Sequence, residues 1–153
     1  MTKRQIMTAS IRIMEMADCA YLSTIDPVKG PQIRAMLNLR CKKQYPELAF
    51  LYRSTKDRFL AFFTTNTSSS KIRQIKKQQQ ASVYYCIPGN WHGFMIGGMI
   101  EVVKDNKIKH AAWQKGWEMY YPKGSDDPDY TLLRLRPKYI KGWLSPQKFE
   151  IEL

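Results

Sequence analysis

The sequence predicts a mainly β protein in which an antiparallel sheet curls into a barrel and α-helices flank it. Most predicted strands are joined by short loops or by single helices, which is typical of antiparallel barrels. The chain has 153 residues, of which 44% are hydrophobic, enough for one domain with a real core. Because no internal repeat or change in composition divides the chain, we predict a single domain over residues 1–153.

The N-terminal segment predicts an amphipathic helix followed by a β-hairpin. Thr2 and Gln5 have the spacing of a capping box, and apolar residues repeat at helical spacing at Ile6, Ala9, Ile13 and Ala17. Strands are predicted over 20–25 and 32–39, because the residues between them, 26–30, include Pro and Gly, which mark a turn.

The second strand of this hairpin has two faces. One face carries Ile33, Ala35, Leu37 and Leu39, and the other carries Arg34, Met36, Asn38 and Arg40. We expect the apolar face to pack against the core. Arg34 is therefore predicted to point away from the core.

Strands and helices alternate along the rest of the chain. Residues 46–52 fit a short helix or a strand, and Pro46 at the first turn favours the helix. Asp105 can cap another helix, whose apolar side would carry Ile108, Ala112, Trp113, Trp117 and Tyr120. The remaining predicted elements are a helix over 70–79 and strands over 60–65, 81–87, 94–103 and 132–143.

Several kinds of chemistry are excluded because their motifs are missing from the sequence. His92 and His110 have no metal-ligand spacing, and neither a P-loop nor a dinucleotide-binding glycine motif occurs. Gly97 and Gly98 lie inside a predicted strand, where paired glycines indicate a bulge or a close approach of another backbone or of a ligand. No nucleophile motif of a hydrolase occurs either. If the protein catalyses a reaction, we expect a cofactor to supply the chemistry.

The net charge of +12 is compatible with an anionic ligand or a nucleic acid. Lys and Arg are scattered along the chain, however, and no zinc-finger or RNA-recognition motif occurs, so a solvated basic surface is the favoured interpretation.

No apolar segment is long enough to span a bilayer, and the three cysteines are widely spaced, as reduced thiols would be. We therefore expect a cytoplasmic protein without a membrane partner or a specific nucleic-acid partner.

Residues 60–77 are the most informative segment. A predicted strand ends there in Thr and Ser residues, and Lys71 follows at the start of a predicted helix. Serine is a preferred N-cap residue, so a serine-capped surface helix would account for the segment. A helix start also carries unpaired N–H groups and a partial positive charge, so hydroxyls and Lys71 at this point would suit a phosphate. The segment alone favours the cap but leaves both interpretations open.

The order and spacing of several short motifs resemble the flavin-binding split barrel of the pyridoxamine 5'-phosphate oxidase superfamily. The resemblance is strongest to its general stress protein 26-like branch and covers nearly the whole chain. The motifs are Arg34-Ala-Met-Leu37, Phe62-Phe-Thr-Thr-Asn66 with Ser69-Ser-Lys71, Ser82-Val-Tyr-Tyr85, Phe94-Met-Ile-Gly-Gly98 with Glu101, Trp113 to Tyr121, and Asp127-Pro-Asp-Tyr-Thr-Leu-Leu-Arg134. The resemblance implies an antiparallel, Greek-key-like split β-barrel with flanking helices.

The resemblance also implies a homodimer that holds flavin mononucleotide (FMN) at the subunit interface. Arg34 and Lys71 would contact the phosphate, with Ser69 or Ser70 beside them. Residues of the strands would line the ribityl chain and the ring, namely Ala35, Met36, Leu37, Phe63, Thr64 and Thr65. Trp91, Trp117 and Trp143 are aromatic candidates for closing the ring pocket, although helical spacing favours core packing for Trp113 and Trp117.

The sequence departs from the oxidase pattern at positions that bear on the reaction. Leu39 stands where the oxidase carries a substrate-binding lysine, and the C-terminal Arg-x-His pair is absent after Trp143. Ser70 replaces an arginine of the phosphate site, in a loop that looks one residue longer. Oxidation of pyridoxamine phosphate is therefore not expected.

Three functional hypotheses follow from these observations. The first is an FMN-dependent oxidoreductase of unassigned substrate, with a nicotinamide nucleotide or a small molecule as its reaction partner. The second is a flavin carrier or sensor without turnover. The third, which the sequence favours least, is a basic nucleic-acid-binding barrel.

Overall fold

The computed structural model describes residues 1–53 and 56–153. Its strands are β1 (Cys19–Asp26), β2 (Gly30–Leu37), β3 (Ala61–Asn66), β4 (Gln80–Ile87), β5 (His92–Val102), β6 (Tyr130–Leu144) and β7 (Gln147–Glu152). The helices are α1 (Lys3–Met16), α2 (Ser70–Lys77) and α3 (Asn106–Ala111), with short 3-10 helices at Pro46–Tyr52, Pro88–Asn90, Trp117–Met119 and Gly124–Asp126.

All strands pair antiparallel in one sheet with the order β2-β1-β4-β5-β6-β3. The first half of β6 pairs with β3, and its second half pairs with β7. The two ends of the path, β2 and β3, contact each other, which curls the sheet into a half-barrel. The predicted fold class, a mainly β antiparallel split barrel with flanking helices, is confirmed.

The buried side chains form two clusters. The larger cluster lies between α1 and the inner face of the sheet and includes Phe63 and Phe94. The smaller cluster includes Leu48 under the Pro46–Tyr52 helix, together with Trp117. The ring centroids of Trp113 and Trp117 are 5.9 Å apart, and Trp117 is only 5% exposed, so this pair packs in the core as predicted.

The capping box of α1 is confirmed. The Gln5 backbone N–H donates to the Thr2 hydroxyl at 3.3 Å, and the Thr2 N–H donates to the Gln5 side chain at 2.7 Å. Asn38, which is 1% exposed, donates from its amide to the carbonyls of Met14 and Ala17, both at 2.8 Å. A residue just after β2 therefore holds the C-terminal end of α1 against the half-barrel.

The face of β2 that meets the interior is the opposite of the predicted one. Ile33 is 69% exposed and Ala35 is exposed, whereas Arg34 is half-buried opposite the fully buried Leu22. β2 is an end strand of the sheet, and at this rim its inner side meets polar side chains rather than the apolar core. The prediction that Arg34 points away from the interior was wrong for this reason.

Two elements differ in extent from the prediction. The helix capped by Asp105 ends at Ala111, and Gly116, with a φ of +100°, turns the chain so that Trp117 starts a separate 3-10 helix. β7 was not predicted, because only Phe149 and Ile151 alternate in that short segment.

The predicted irregularity at Gly97 and Gly98 is confirmed. The β5–β6 register shifts between these two residues. A Cβ atom at Gly97 would lie 2.3 Å from the Tyr139 ring, and one at Gly98 would lie 2.0 Å from the Arg136 carbonyl oxygen. Only glycine permits this close approach of β5 and β6.

Residues 1–53 and 56–153 include no helix with the length and apolar character needed to cross a membrane.

Candidate functional site

The turn between β3 and α2 is fixed by the carboxylate of Asp129. Oδ2 of Asp129 accepts a hydrogen bond from the Asn66 amide at 2.6 Å, and Oδ1 accepts one from the Ser68 N–H at 2.9 Å. These hydrogen bonds, that from Asn66 foremost, lower the pKa of Asp129. Since the Thr67 N–H also donates to the Asp129 carbonyl at 2.8 Å, the turn presents Ser69 at the start of α2 in one defined position.

Ser69 occupies the N-cap position of α2, but within the described residues its side chain makes no capping hydrogen bond. Its hydroxyl instead lies 3.4 Å from the Thr65 hydroxyl and accepts a hydrogen bond from Lys71 Nζ at 3.3 Å. The first turn of α2 contains no acidic residue. The partial positive charge of the helix start is therefore not balanced from within α2, and a simple serine cap does not describe this segment.

The half-buried ammonium of Lys71 is held above the end of β3. Nζ of Lys71 donates to the Thr65 hydroxyl at 2.8 Å, and Thr65 is 5% exposed. Burial lowers the pKa of Lys71, and the positive charge of Arg34 lowers it further. The two cations are therefore near enough to repel each other.

The guanidinium of Arg34 is held by buried polar groups of β1 and α2. Its Nη1 donates to the Thr24 hydroxyl at 2.7 Å and to the Leu22 carbonyl at 3.2 Å, and its Nη2 lies 3.4 Å from Oε1 of Gln74. The Thr24 hydroxyl in turn donates to the same Oε1 at 2.6 Å. Burial lowers the pKa of Arg34, which means that its charge is poorly solvated.

No carboxylate neutralises this pair within residues 1–53 and 56–153. The ion pairs of this part of the chain involve Lys42, Lys141, His110, Arg134 and Arg136, but neither Arg34 nor Lys71. Two half-buried cations, two hydroxyls and a helix start thus converge without an anion. Such a set of donors can bind a phosphate dianion.

The other residues predicted for the site fall into three groups. Thr64 is 8% exposed on β3 beside Thr65, and Met36 and Leu37 are half-buried on β2, so these residues line the two facing ends of the sheet. Ala35 and Ser70 are exposed. The Phe63 side chain is fully buried in the core, which leaves only its backbone available to a ligand.

The two candidate tryptophans are not brought to the cation pair within one chain. Trp91, which is 80% exposed, lies in the turn between β4 and β5, and the half-buried Trp143 lies on β6 opposite Gly93. β3, which leads to Lys71, pairs with residues 130–135 of β6, whereas Trp143 lies in the part of β6 that pairs with β7.

Sequence reasoning missed Thr24, Gln74 and Asp129. Gln74 follows Lys71 by three residues, which places both on one side of α2, and this spacing could have revealed it. Thr24 and Asp129 reach the site from β1 and from the loop before β6, so only the folded chain brings them there.

The sequence of this chain matches the model of a known protein family. A model of the family described as "Pyridoxamine 5'-phosphate oxidase like" matches residues 35–152, from the residue after Arg34 almost to the end. The comparison with curated proteins found no match.

Solved structures share the fold over nearly the whole chain. A protein from Clostridium acetobutylicum related to general stress protein 26 superposes with a TM-score of 0.78 at 24% identity, covering 99% of this chain and 97% of the other. General stress protein 26 from Bacillus anthracis gives 0.72 at 17% identity, covering 97% and 99%. An F420 reductase gives 0.57 at 21% identity, covering 84% and 93%. Since the family model spans most of the sequence, the chain belongs to the pyridoxamine 5'-phosphate oxidase-like family.

Proposed function

We propose that this protein binds FMN at the interface of a homodimer in the cytoplasm and acts as an oxidoreductase. The observation that carries the proposal is the pair of half-buried cations, Arg34 and Lys71, without a carboxylate in the described part of the chain. A flavin phosphate supplies the missing anion. Membership of the pyridoxamine 5'-phosphate oxidase-like family supports a flavin as the class of ligand.

The residue types suit a phosphate dianion. Arginine offers a planar fork of N–H donors and lysine a compact charge, and the Thr65 and Ser69 hydroxyls can add hydrogen bonds. Charge-assisted hydrogen bonds contribute about 1.5–3 kcal/mol each. The proposed site therefore binds FMN through its phosphate and discriminates against riboflavin, which lacks that group.

The remainder of the flavin would extend along the facing ends of the sheet. In the proposal, Ala35, Met36 and Leu37 on β2 and the backbone of β3 from Phe63 to Thr65 line the ribityl chain and one edge of the ring. Ser70 lies at the start of α2 and in the proposal would lie beside the phosphate. The bound flavin supplies the redox chemistry, and the side chains of this protein bind and orient it.

A second copy of the chain would complete the ring pocket. Trp143 lies in the part of β6 that pairs with β7, away from the part that pairs with β3, and Trp91 lies in the turn between β4 and β5, so in the proposal these aromatic side chains come from the partner subunit. The exposed apolar side of β2 near its hairpin turn, which includes Ile33 and Ala35, offers a surface for this contact.

The dimer can be tested by sedimentation equilibrium at micromolar protein with FMN present. We expect a dimer for the natural sequence and a shift toward monomer for Ile33→Glu, because a carboxylate would be buried at the contact. Val28→Glu, in the exposed hairpin turn, is the matched control and should remain dimeric. A monomer that carries bound FMN would refute the proposed interface.

The proposal does not extend to oxidation of pyridoxamine phosphate. Leu39, at the position of the oxidase's substrate lysine, is 1% exposed and packs in the smaller core cluster. A cationic side chain is therefore missing where that substrate would need one.

Absorption spectroscopy separates the enzyme from the carrier hypothesis. We expect the purified protein, reconstituted with FMN, to show a flavin spectrum that a reduced nicotinamide nucleotide bleaches under anaerobic conditions. Free FMN at the same concentration is the control for bleaching without protein. A flavin spectrum that no reduced nicotinamide or substrate changes would favour a carrier or sensor, and no bound flavin at all would refute both.

A further inference from the structure

Two cysteines lie side by side on the outer surface of the half-barrel. Cys19 begins β1 and Cys86 lies near the end of β4, and both are half-buried free thiols. Their sequence neighbours Ala20 and Tyr85 are buried, so the alternation of each strand turns both thiols outward.

The paired residues of β1 and β4 end two positions before the two cysteines, and their register points to Cys19 and Cys86 as the next opposed pair on this face. Tyr21 pairs with Tyr84, and Leu22 pairs with Val83. Continuing this antiparallel register by two residues along both strands brings Cys19 opposite Cys86. Directly opposed residues in antiparallel strands have Cα atoms about 4.5–5.5 Å apart, and disulfides span about 4.4–6.8 Å between Cα atoms. A bond between the two sulfurs therefore needs little movement of the backbone.

Electrostatic interactions agree with this proximity. Burial raises the pKa of the Cys86 thiol, and the neighbouring Cys19 raises it further. The pKa of the Tyr21 phenol is also raised, mainly by its hydrogen bond with Cys19 and then by the charges of both cysteines. Both sulfurs therefore lie beside the same tyrosine.

We propose that Cys19 and Cys86 are a redox-active thiol pair, which a hydroperoxide converts to a cross-strand disulfide. In the first step one thiol releases its proton and the thiolate attacks an oxygen of hydrogen peroxide; the O–O bond breaks, a sulfenic acid forms, and the leaving hydroxide takes up that proton to give water. In the second step the other thiol releases its proton and its thiolate attacks the sulfenic sulfur; the S–O bond breaks, and the leaving hydroxide takes up the proton to give a second water. The two thiols together lose two electrons and two protons, and hydrogen peroxide is reduced to two waters.

The third cysteine serves as an internal control. Cys41 is 1% exposed and lies in the segment between β2 and the Pro46–Tyr52 helix, not on β1 or β4. It should remain a thiol while the pair reacts, because oxidation requires access to the thiolate. The proposal does not depend on flavin binding.

The test is oxidation of the full-length, pre-reduced protein with hydrogen peroxide, followed by alkylation after unfolding and intact mass measurement. We expect two of the three thiols to disappear together, with the loss of two hydrogen atoms, and peptide mapping to find Cys19 joined to Cys86. A thiol reductant should restore both. The reaction should accelerate as pH rises, because only the thiolate attacks.

Three serine variants make the outcome decisive once circular dichroism shows each to be folded. Cys41→Ser should still lose two thiols together, whereas Cys19→Ser and Cys86→Ser should form no internal disulfide. Disulfides that involve Cys41, disulfides between two copies, or oxidation of one cysteine while its neighbour stays reduced would each overturn the proposal. Peptide mapping of the natural sequence alone can decide the same point if a variant does not fold.

Discussion

Two pairs of cations on this half-barrel differ in how their charge is balanced. Arg134 and Arg136 on β6 both bond Oε1 of Glu101, at 2.7 and 2.8 Å, so a carboxylate from β5 partly neutralises them. Arg34 and Lys71 contact only hydroxyl, amide and carbonyl oxygens within residues 1–53 and 56–153.

This difference indicates that Arg134 and Arg136 form a structural charge cluster, whereas Arg34 and Lys71 form a candidate ligand site. A carboxylate that is part of the chain satisfies Arg134 and Arg136 permanently, so this cluster needs no further anion. The pKa values of Arg34 and Lys71 are both lowered, chiefly by burial, which means that their charges are costly in the absence of a ligand. An anion that binds between them relieves this cost.

Removing Lys71, the lysine of the pair without a carboxylate, should strongly reduce the affinity for FMN. We expect Lys71→Ala to weaken FMN binding about ten- to hundredfold, the equivalent of one charge-assisted hydrogen bond. Fluorescence titration measures this, and Lys77→Ala, at the exposed far end of the same helix, is the matched control. Equal affinities for Lys71→Ala and Lys77→Ala would remove Lys71 from the proposed site.

Removing the carboxylate of the neutralised pair should affect stability and leave FMN binding unchanged. Burial raises the pKa of Glu101, but hydrogen bonds and charges from Arg134 and Arg136 together outweigh it, so the pKa is lowered overall. Because the pKa of Glu101 is lower in the folded state, its ionised carboxylate stabilises the fold at pH values above the ordinary glutamate pKa. This contribution is lost as the pH falls through the lowered pKa of the folded state.

We therefore expect Glu101→Gln to reduce the free energy of unfolding at neutral pH by less than about 1 kcal/mol, since solvent screens this partly exposed cluster. Denaturant unfolding at pH 7 and at pH 3 measures it, and the two proteins should converge at the lower pH. A change in FMN affinity for Glu101→Gln would break the distinction between the two clusters.

The lysines and arginines scattered over the rest of the surface should have the smallest effect on ligand binding. Nucleic-acid binding, if it is observed, should be weak, independent of base sequence and steeply reduced by salt, because scattered lysines and arginines neutralise phosphates without reading bases. Gel-shift assays with two unrelated duplexes at two salt concentrations measure this. Sequence-selective binding that survives physiological salt would favour the nucleic-acid hypothesis.

Local signals in the sequence predicted most of the fold. The Thr2–Gln5 capping box, the turn residues of the first hairpin and the strand before Ser69 each depend on neighbouring residues, and the structure contains the element that each predicts. The face of β2 could not be predicted in this way. Alternation defines two faces, but only pairing with β1 and the position at the end of the sheet decide that Arg34 lies inside.

The residues of the candidate site also fall into those that local sequence motifs reveal and those that only the folded chain brings together. Arg34, Ser69 and Lys71 stand in motifs that the sequence makes visible, and the structure brings them to one rim of the half-barrel. Thr24, Gln74 and Asp129 orient these residues from β1, from α2 and from the loop before β6. Their roles depend on contacts between residues distant in the chain, which no local pattern contains.

The most direct test of the central claim is the comparison of FMN with riboflavin in Arg34→Ala. Since only FMN carries the phosphate, we expect this variant to lose about ten- to hundredfold in FMN affinity and little in riboflavin affinity. Arg73→Ala, an exposed arginine on α2, is the control, and circular dichroism must show that each variant is folded. Equal losses for both flavins, or no loss for either, would contradict a phosphate site at Arg34 and Lys71.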